Sequence, residues 1–233
     1  MDTLILGLSA SSSAARFIVV LLVGVSVLSW GVILYKFRRY RRAQRDMDKY
    51  HQLFEQLGGN LDALYEQTSH LTHSAPARLF QACYKEIHQL ATREANVAVI
   101  RSEVIEGVER AAENTIADSE IELQDGLSIL AMTATICPLI GLLGTVWGIL
   151  EVFQAMDTTS TPSISEIAPG ISAALITTIF GLFAAIPAAA SYNLFVVHVG
   201  RMVASMENLA ARITNVLVRH QIRQGRGRGE AGA

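Results

Sequence analysis

The stretches GLSILAMTATICPLIGLLGTVWGILEVF (Gly126–Phe153) and IAPGISAALITTIFGLFAAIPAAASYNLFVV (Ile167–Val197) decide the fold of this chain. Each exceeds the roughly 20 apolar residues that a helix needs to cross a bilayer. Both also carry glycine, threonine and proline. A helix surrounded only by lipid has no use for these residues, whereas a helix packed on protein or bordering a wet path does. A third block, FIVVLLVGVSVLSWGVILY (Phe17–Tyr35), has the composition of a plain span. Only Arg16 precedes it, while Lys36, Arg38, Arg39, Arg41, Arg42 and Arg45 follow, the reverse of a cleaved signal peptide.

The same charges orient the chain, because cytoplasmic flanks collect Lys and Arg. The run KFRRYRR follows the first span, the connection QAMDTTSTPSISE holds no Lys or Arg, and Arg201, Arg212, Arg219, Arg223, Arg226 and Arg228 follow the third. The expected organisation is all-α and integral to the membrane, with a long helical cytoplasmic extension. Residues 1–16 form a short periplasmic N-terminus, 17–35 the first transmembrane helix and 36–125 a cytoplasmic helical region. Residues 126–153 are the second transmembrane helix, 154–166 a periplasmic loop, 167–199 the third transmembrane helix and 200–233 a cytoplasmic tail. In the cytoplasmic region, Gly58-Gly59-Asn60 and the segment from His70 to Pro76 read as breaks. Val97, Ile100, Val104, Ile105, Val108, Ala111, Ala112, Thr115 and Ile116 form one apolar stripe, predicting a long helix that runs on into the second span. Its acidic face (Glu103, Glu106, Glu109, Glu113) reads as solvated, with a subunit contact as the other reading.

Composition excludes several classes. Half of the residues (51%) are hydrophobic and 17% are charged, and the apolar ones are gathered into three blocks. A net charge of −2 with no basic patch interleaved with aromatics gives no footprint for nucleic acid. Cys83 and Cys137 match neither a disulfide framework nor a zinc spacing and read as small hydrophobes. The only close histidine pair, His70 and His73, has no cysteine or carboxylate beside it, so no metal site is expected. No nucleophile elbow, Walker loop or dinucleotide fingerprint appears, so the chain does not read as an enzyme.

At 100° per residue, Gly141, Gly144, Gly148 and Val152 share a side of the second span with Thr145. Ile140, Leu143, Val146 and Leu150 lie opposite, and Pro138 interrupts the hydrogen-bond ladder. On the third span Gly170, Ala174, Gly181, Ala185 and Ala188 lie on the side of Thr178, with Thr177 one position round and Tyr192 beyond. Ile176, Ile179, Phe180 and Phe183 are expected to point away. Two readings of the threonines stay open: bonds back to their own helix carbonyls, or hydroxyls that hold water or relay an ion.

The segments LIGLLGTVWGIL (Leu139–Leu150) and APGISAALITTIFGLFAAIPA (Ala168–Ala188) resemble the MotA/TolQ/ExbB proton channel family over about 65 residues. The phrases GTVWGI and GLFAAIPA are most similar to its TolQ branch, with the ExbB branch close behind. The resemblance implies a homo-oligomeric ring, a pentamer, in a bacterial inner membrane. It also implies a TolR/ExbD-type single-span partner carrying a membrane aspartate, and a TolA/TonB-type protein to which force is delivered. The coupling ion is then a proton, with sodium the lesser choice given the paired hydroxyls of Thr177 and Thr178; no other cofactor is implied. Thr145 and Thr178 match the threonines of the family's ion path, and Pro138 and Pro187 match family prolines. The third-span glutamate common in relatives is absent, its place taken by Ala173. Glu151, six residues beyond Thr145 toward the outer face, could supply a carboxylate at that depth, or could be an interfacial glutamate at a helix end. The function implied is a subunit of a proton-motive-force-driven motor for cell-envelope maintenance and division. An ExbB-like role in TonB-dependent uptake is the alternative, and a non-conducting scaffold for a partner helix is the reading from another class. A solute transporter finds no support, because no inverted repeat is visible.

Overall fold

The computed structural model describes residues 13–57, 61–68, 74–91, 97–156 and 164–230. His70, His73, the Gly58–Asn60 turn and most of the connection between the second and third apolar blocks lie outside them. Six helices make up the described chain: α1 (Ser13–Gln56), α2 (Leu61–Thr68), α3 (Ala75–Ala91), α4 (Val97–Gln124), α5 (Leu127–Met156) and α6 (Ile164–Glu230). Three of them, α1, α5 and α6, are long and apolar enough to cross a membrane. The described residues fall into two compact units, one drawn from 13–37 and 126–196, the other from 38–125 and 197–230.

The first unit holds the apolar parts of α1, α5 and α6. Its buried side chains include Leu22 of α1, Cys137 of α5, and Ala184 and Ala185 of α6, with Ile18, Val25, Ile140 and Phe180 packed against them. Bulky residues point outward instead. On α5 these are Leu139, Leu142, Leu143, Val146 and Leu150; on α6 they are Leu175, Ile179, Leu182, Phe183 and Ile186. An outer surface of this kind exceeds the apolar patch a water-soluble monomer tolerates and suits lipid or other subunits. Pro138 lies inside α5, and Pro169 and Pro187 lie inside α6, without ending either helix.

The second unit is a helical cluster around Met47, Tyr50 and Phe54 of α1, Leu64 of α2, and Leu79, Phe80 and Cys83 of α3. Val104, Val108, Ala112 and Ile116 of α4 and Met206, Leu209 and Ile213 of α6 complete it. The α4 residues recur every three or four positions, the period of one helix face, and Glu106, Glu109 and Glu113 are exposed. The stretch after the third apolar block is thus helical to Glu230, and its part from Met206 to Ile213 is core. Tyr65 stacks on Tyr84 with ring centroids 4.3 Å apart.

One expectation about α4 fails. The long helix expected to run into the second span stops at Gln124, and α5 begins at Leu127. Between them Gly126 has φ of +74°, the left-handed conformation that ends helices and that glycine adopts without a Cβ clash. The end of α4 is secured from several sides. The Tyr40 hydroxyl donates to the Leu123 carbonyl at 2.7 Å, satisfying one of the last carbonyls that a helix leaves without an internal donor. The Glu122 carboxylate accepts from Arg39 and from Arg78, each at 2.6 Å.

Burial shapes two acidities in the second unit. It pushes the Cys83 thiol up to about 12, against a smaller opposing backbone hydrogen bond. It also pushes the Tyr40 hydroxyl up to about 12, against the lowering charge of Arg39. Both groups hold their protons more tightly folded than unfolded, so between about pH 9 and 12 the native state binds more protons and stability falls as pH rises. Cys83 should therefore resist maleimide labelling at pH 8.5 in the native protein and react once urea unfolds it. Alkaline unfolding, followed by circular dichroism, should begin at higher pH in Cys83→Ala, a variant in which one of the two contributions is gone. Rapid native labelling would contradict the burial.

Candidate ion-conduction seam

The contact between α5 and α6 is built from residues too small to keep the backbones apart. A Cβ added at Gly141 would lie 3.0 Å from the Thr177 carbonyl oxygen and 3.0 Å from Thr178 Cα. At Gly144 it would run into the Thr177 side chain, and at Gly148 it would come within 2.8 Å of Ala174 Cβ. From the other helix, a Cβ at Gly181 would lie 2.6 Å from the Cys137 carbonyl oxygen and 3.1 Å from Gly141 Cα. Backbone-to-backbone approach of this kind is the small-residue packing of membrane helices.

Two hydroxyls tie the seam. Thr178 donates to the Gly141 carbonyl at 3.1 Å, and the single Thr177 hydroxyl proton is shared between the Ala174 carbonyl of its own helix at 2.7 Å and the Gly141 carbonyl at 3.0 Å. Thr145 donates to the Leu142 carbonyl of its own helix at 2.7 Å. Thr177 is fully buried and Thr145 is 7% exposed, while Thr178 is half-buried at the edge. Each of the three hydroxyl protons is therefore directed at a backbone carbonyl, and what the oxygens still offer is acceptor lone pairs. The seam as built can receive a hydrogen bond or a cation; to donate one, a hydroxyl must first release its carbonyl.

The structure distributes the remaining candidate residues as follows. Glu151 accepts from Trp147 Nε1 at 2.8 Å, one turn back on α5, and both are partly or fully exposed. Pro138 and Pro187 are half-buried; each lacks the N–H that would bond four residues back, leaving the Ala134 and Phe183 carbonyls without that donor. Ala173 is buried. Ile176, expected to point away from Thr178, is buried instead, at 7% exposure. It stands next to Thr177 on α6, and the buried arc is wide enough to hold both faces; Ile179 and Phe183 do lie outward, whereas Phe180, also expected outward, and Ile140, expected opposite Thr145, are partly buried against Leu22, Cys137, Ala184 and Ala185.

Two polar residues of the first unit escaped the sequence reading. Ser29 in α1 is 2% exposed and its hydroxyl has no hydrogen-bond partner among the described residues. Lys36 is also 2% exposed, and its Cε comes within 3.8 Å of the Cβ position of Gly126. A lone serine in an apolar block and the first base of a basic run carry no sequence signal for burial. Among the described residues no group of histidine, cysteine and carboxylate side chains could hold a metal ion.

A model of the MotA/TolQ/ExbB proton channel family matches residues 73–208. The Tol-Pal system protein TolQ of Pseudomonas aeruginosa is 35% identical over 190 residues, 81% of this chain and 80% of that protein. The Tol-Pal system protein TolQ of Haemophilus influenzae is 33% identical over 214 residues, 90% and 91% of the two chains. The biopolymer transport protein ExbB of Salmonella typhimurium is 42% identical over 88 residues, 38% of this chain and 36% of that protein.

The glycine contacts give a graded expectation. In Gly181→Ala the new methyl meets backbone, which cannot swing aside, so the variant should lose about 1–3 kcal/mol. Gly24→Ala and Gly31→Ala, which meet nothing within 4 Å, should be neutral or slightly stabilising. Thermal unfolding of the three variants in one detergent checks the order, and equal midpoints would refute the close approach.

Proposed function

Because this chain belongs to the MotA/TolQ/ExbB proton channel family, we propose that it is the inner-membrane subunit of a motor driven by the proton-motive force. In this reading it is TolQ-like: it assembles as a homopentamer and works with a TolR-type single-span partner whose membrane aspartate carries the proton. It energises a TolA-type protein spanning the periplasm, for envelope maintenance and division. The N-terminus is periplasmic and the C-terminus cytoplasmic. Similarity to the two TolQ proteins runs through four fifths or more of the chain, whereas similarity to the Salmonella ExbB covers 38%. That difference in span supports the Tol-type reading over TonB-dependent uptake.

The observation that carries the proposal is the acceptor-only character of the seam. Thr178 directs its proton at Gly141, Thr145 at Leu142, and Thr177 shares its own between Ala174 and Gly141. An incoming proton carrier, whether a protonated carboxyl or a hydronium, is a donor and finds oxygen lone pairs waiting. A sodium ion requires several free oxygens at once, and two hydroxyls already crowd the Gly141 carbonyl, so the proton is the better fit. Energetically, one charge moving through 100 mV releases about 2.3 kcal/mol. In this scheme Thr178, at the seam's edge, meets the carrier, Thr177 and the glycines hold the wall, and Glu151 is an outer-side carboxylate that Trp147 orients.

The test is a set of threonine variants co-reconstituted with a TolR/ExbD-type partner, with proton flux read by an internal pH dye. Thr145→Ala with Thr178→Ala should assemble at wild-type mass and lose flux by at least about tenfold, the equivalent of 1.4 kcal/mol on the barrier. Thr178→Ser should retain it. A double variant that assembles and conducts normally would establish the scaffold instead. For Glu151→Gln the proposal expects a reduced flux, and wild-type flux would remove Glu151 from the path.

A further inference from the structure

Along α1 the basic residues after the first apolar block do not scatter. At 100° per residue, Arg41, Arg42, Arg45 and Lys49 all lie within about 60° of Arg38. Tyr40, Met47, Tyr50 and Phe54, buried in the second unit, are centred on the opposite side. Arg38, Arg41, Arg42, Arg45 and Lys49 are all exposed. The stripe begins three residues after Tyr35. Trp30 and Tyr35 are exposed, as aromatic residues at a membrane–water boundary usually are.

We infer that Arg38, Arg41 and Arg42 form a binding face for anionic phospholipid headgroups of the inner leaflet, with Arg45 reinforcing it. The Cα–Cβ bonds of a helix tilt toward its N-terminus, and on α1 that direction is toward the apolar block. The guanidinium groups therefore lean back to the membrane. Headgroups occupy about 5–8 Å on each side of the hydrocarbon. Arg38 follows Tyr35 by about 4.5 Å of helix and Arg42 by about 10.5 Å, so side chains leaning back from these levels reach that layer. Guanidinium groups bond phosphate oxygens in pairs. Asp46 and Asp48 flank only the far part of the stripe, which leaves the positive charge densest nearest the membrane.

A second copy of this chain is the competing occupant, because Glu106, Glu109 and Glu113 form an exposed acidic run on α4. Height argues against it. Arg39 pairs with Glu122, and Tyr40 bonds Leu123, which fixes which turns of α1 and α4 stand level. The acidic run lies 9 to 16 residues before Glu122, about 14–24 Å farther along the helix. Rotation about a ring axis preserves height, so a neighbour would present those glutamates well away from Arg38–Arg42. At the arginines' own level α4 offers Asp118, together with Glu120 and Glu122, which Gln124 and the two arginines already engage.

The inference rests on the membrane placement of α1, not on conduction, and spin-labelled lipids read the two separately. The full-length protein is reconstituted in phosphatidylcholine vesicles containing trace spin-labelled phosphatidylglycerol or phosphatidylcholine. A motionally restricted component from either lipid reports that the spans sit in a bilayer, and the ratio between the two labels reports the arginines. Wild type should prefer phosphatidylglycerol by at least about fivefold at low salt, with the preference shrinking in 1 M NaCl. Arg38→Gln with Arg41→Gln and Arg42→Gln should bring the ratio near one, and the matching lysine triple should keep most of it. Glu106→Gln with Glu109→Gln and Glu113→Gln should leave it unchanged. Inorganic phosphate at 50 mM and matched ionic strength should not abolish the preference, whereas a site for free phosphate would lose it. An unchanged ratio in the glutamine triple overturns the inference. A fall in oligomer mass for that triple, measured by light scattering with the ratio intact, would assign the face to contact between copies.

Discussion

The closeness of α5 and α6 governs what the first unit can do. Five glycines, Gly141, Gly144, Gly148, Gly170 and Gly181, remove the methyl groups that would hold the two helices apart, and the approach brings the Gly141 carbonyl within reach of Thr177 and Thr178. Between apolar helices in lipid there is little hydrophobic force to hold the pair, so packing and interhelical hydrogen bonds must do it. A hydroxyl bonded across the seam serves packing and polarity together. It ties the helices and leaves oxygen lone pairs in a layer that would otherwise be hydrocarbon.

The end of α4 poses a different problem. Gly126 turns the chain in a conformation that other residues adopt at a cost, and Tyr40, Arg39 and Arg78 take up the last turn of α4. The Arg–Glu pairs are partly exposed and individually weak. The Tyr40 hydroxyl is the more telling contact, since it is buried and meets a carbonyl that the helix itself cannot satisfy. Fixing the end of α4 fixes the residue at which α5 begins.

Much of this was legible in the chain's letters, and the omissions have physical reasons. Apolar length exposed the three spans, and 100° periodicity placed Gly141, Gly144 and Gly148 with Thr145 on one face, the face that is buried in the structure. The same periodicity misplaced Ile176, Phe180 and Ile140, because a wheel gives directions without saying how wide the buried arc is. The stop at Gly126 was missed because glycine in an apolar run reads equally as packing or as a cap, and only the backbone angle separates the two. The hydroxyl partners could not be read at all. A threonine's choice between its own helix and the next depends on interhelical distance, which no single-sequence pattern encodes. For the same reason Ser29 and Lys36 passed unnoticed, since burial of an isolated polar residue is decided by its neighbours.

The two threonine readings left open by the sequence, back-bonding and ion relay, turn out not to exclude each other. Thr145 bonds back to its own helix, Thr178 reaches across to Gly141, and Thr177 stands between the two, close to the Ala174 carbonyl of its own helix and to Gly141. In every case it is the proton that is committed and the oxygen that remains. Such a wall has no acid of its own to give, and Glu151 is held by Trp147 and stands apart from the Gly141 carbonyl by nearly three turns of helix. On the proposed reading the group that titrates beside the Gly141 carbonyl must then be brought from outside this chain. That is a chemical reason for the proposed subunit to work with a partner helix bearing a carboxyl, which would bring the proton that moves past this chain's oriented acceptors.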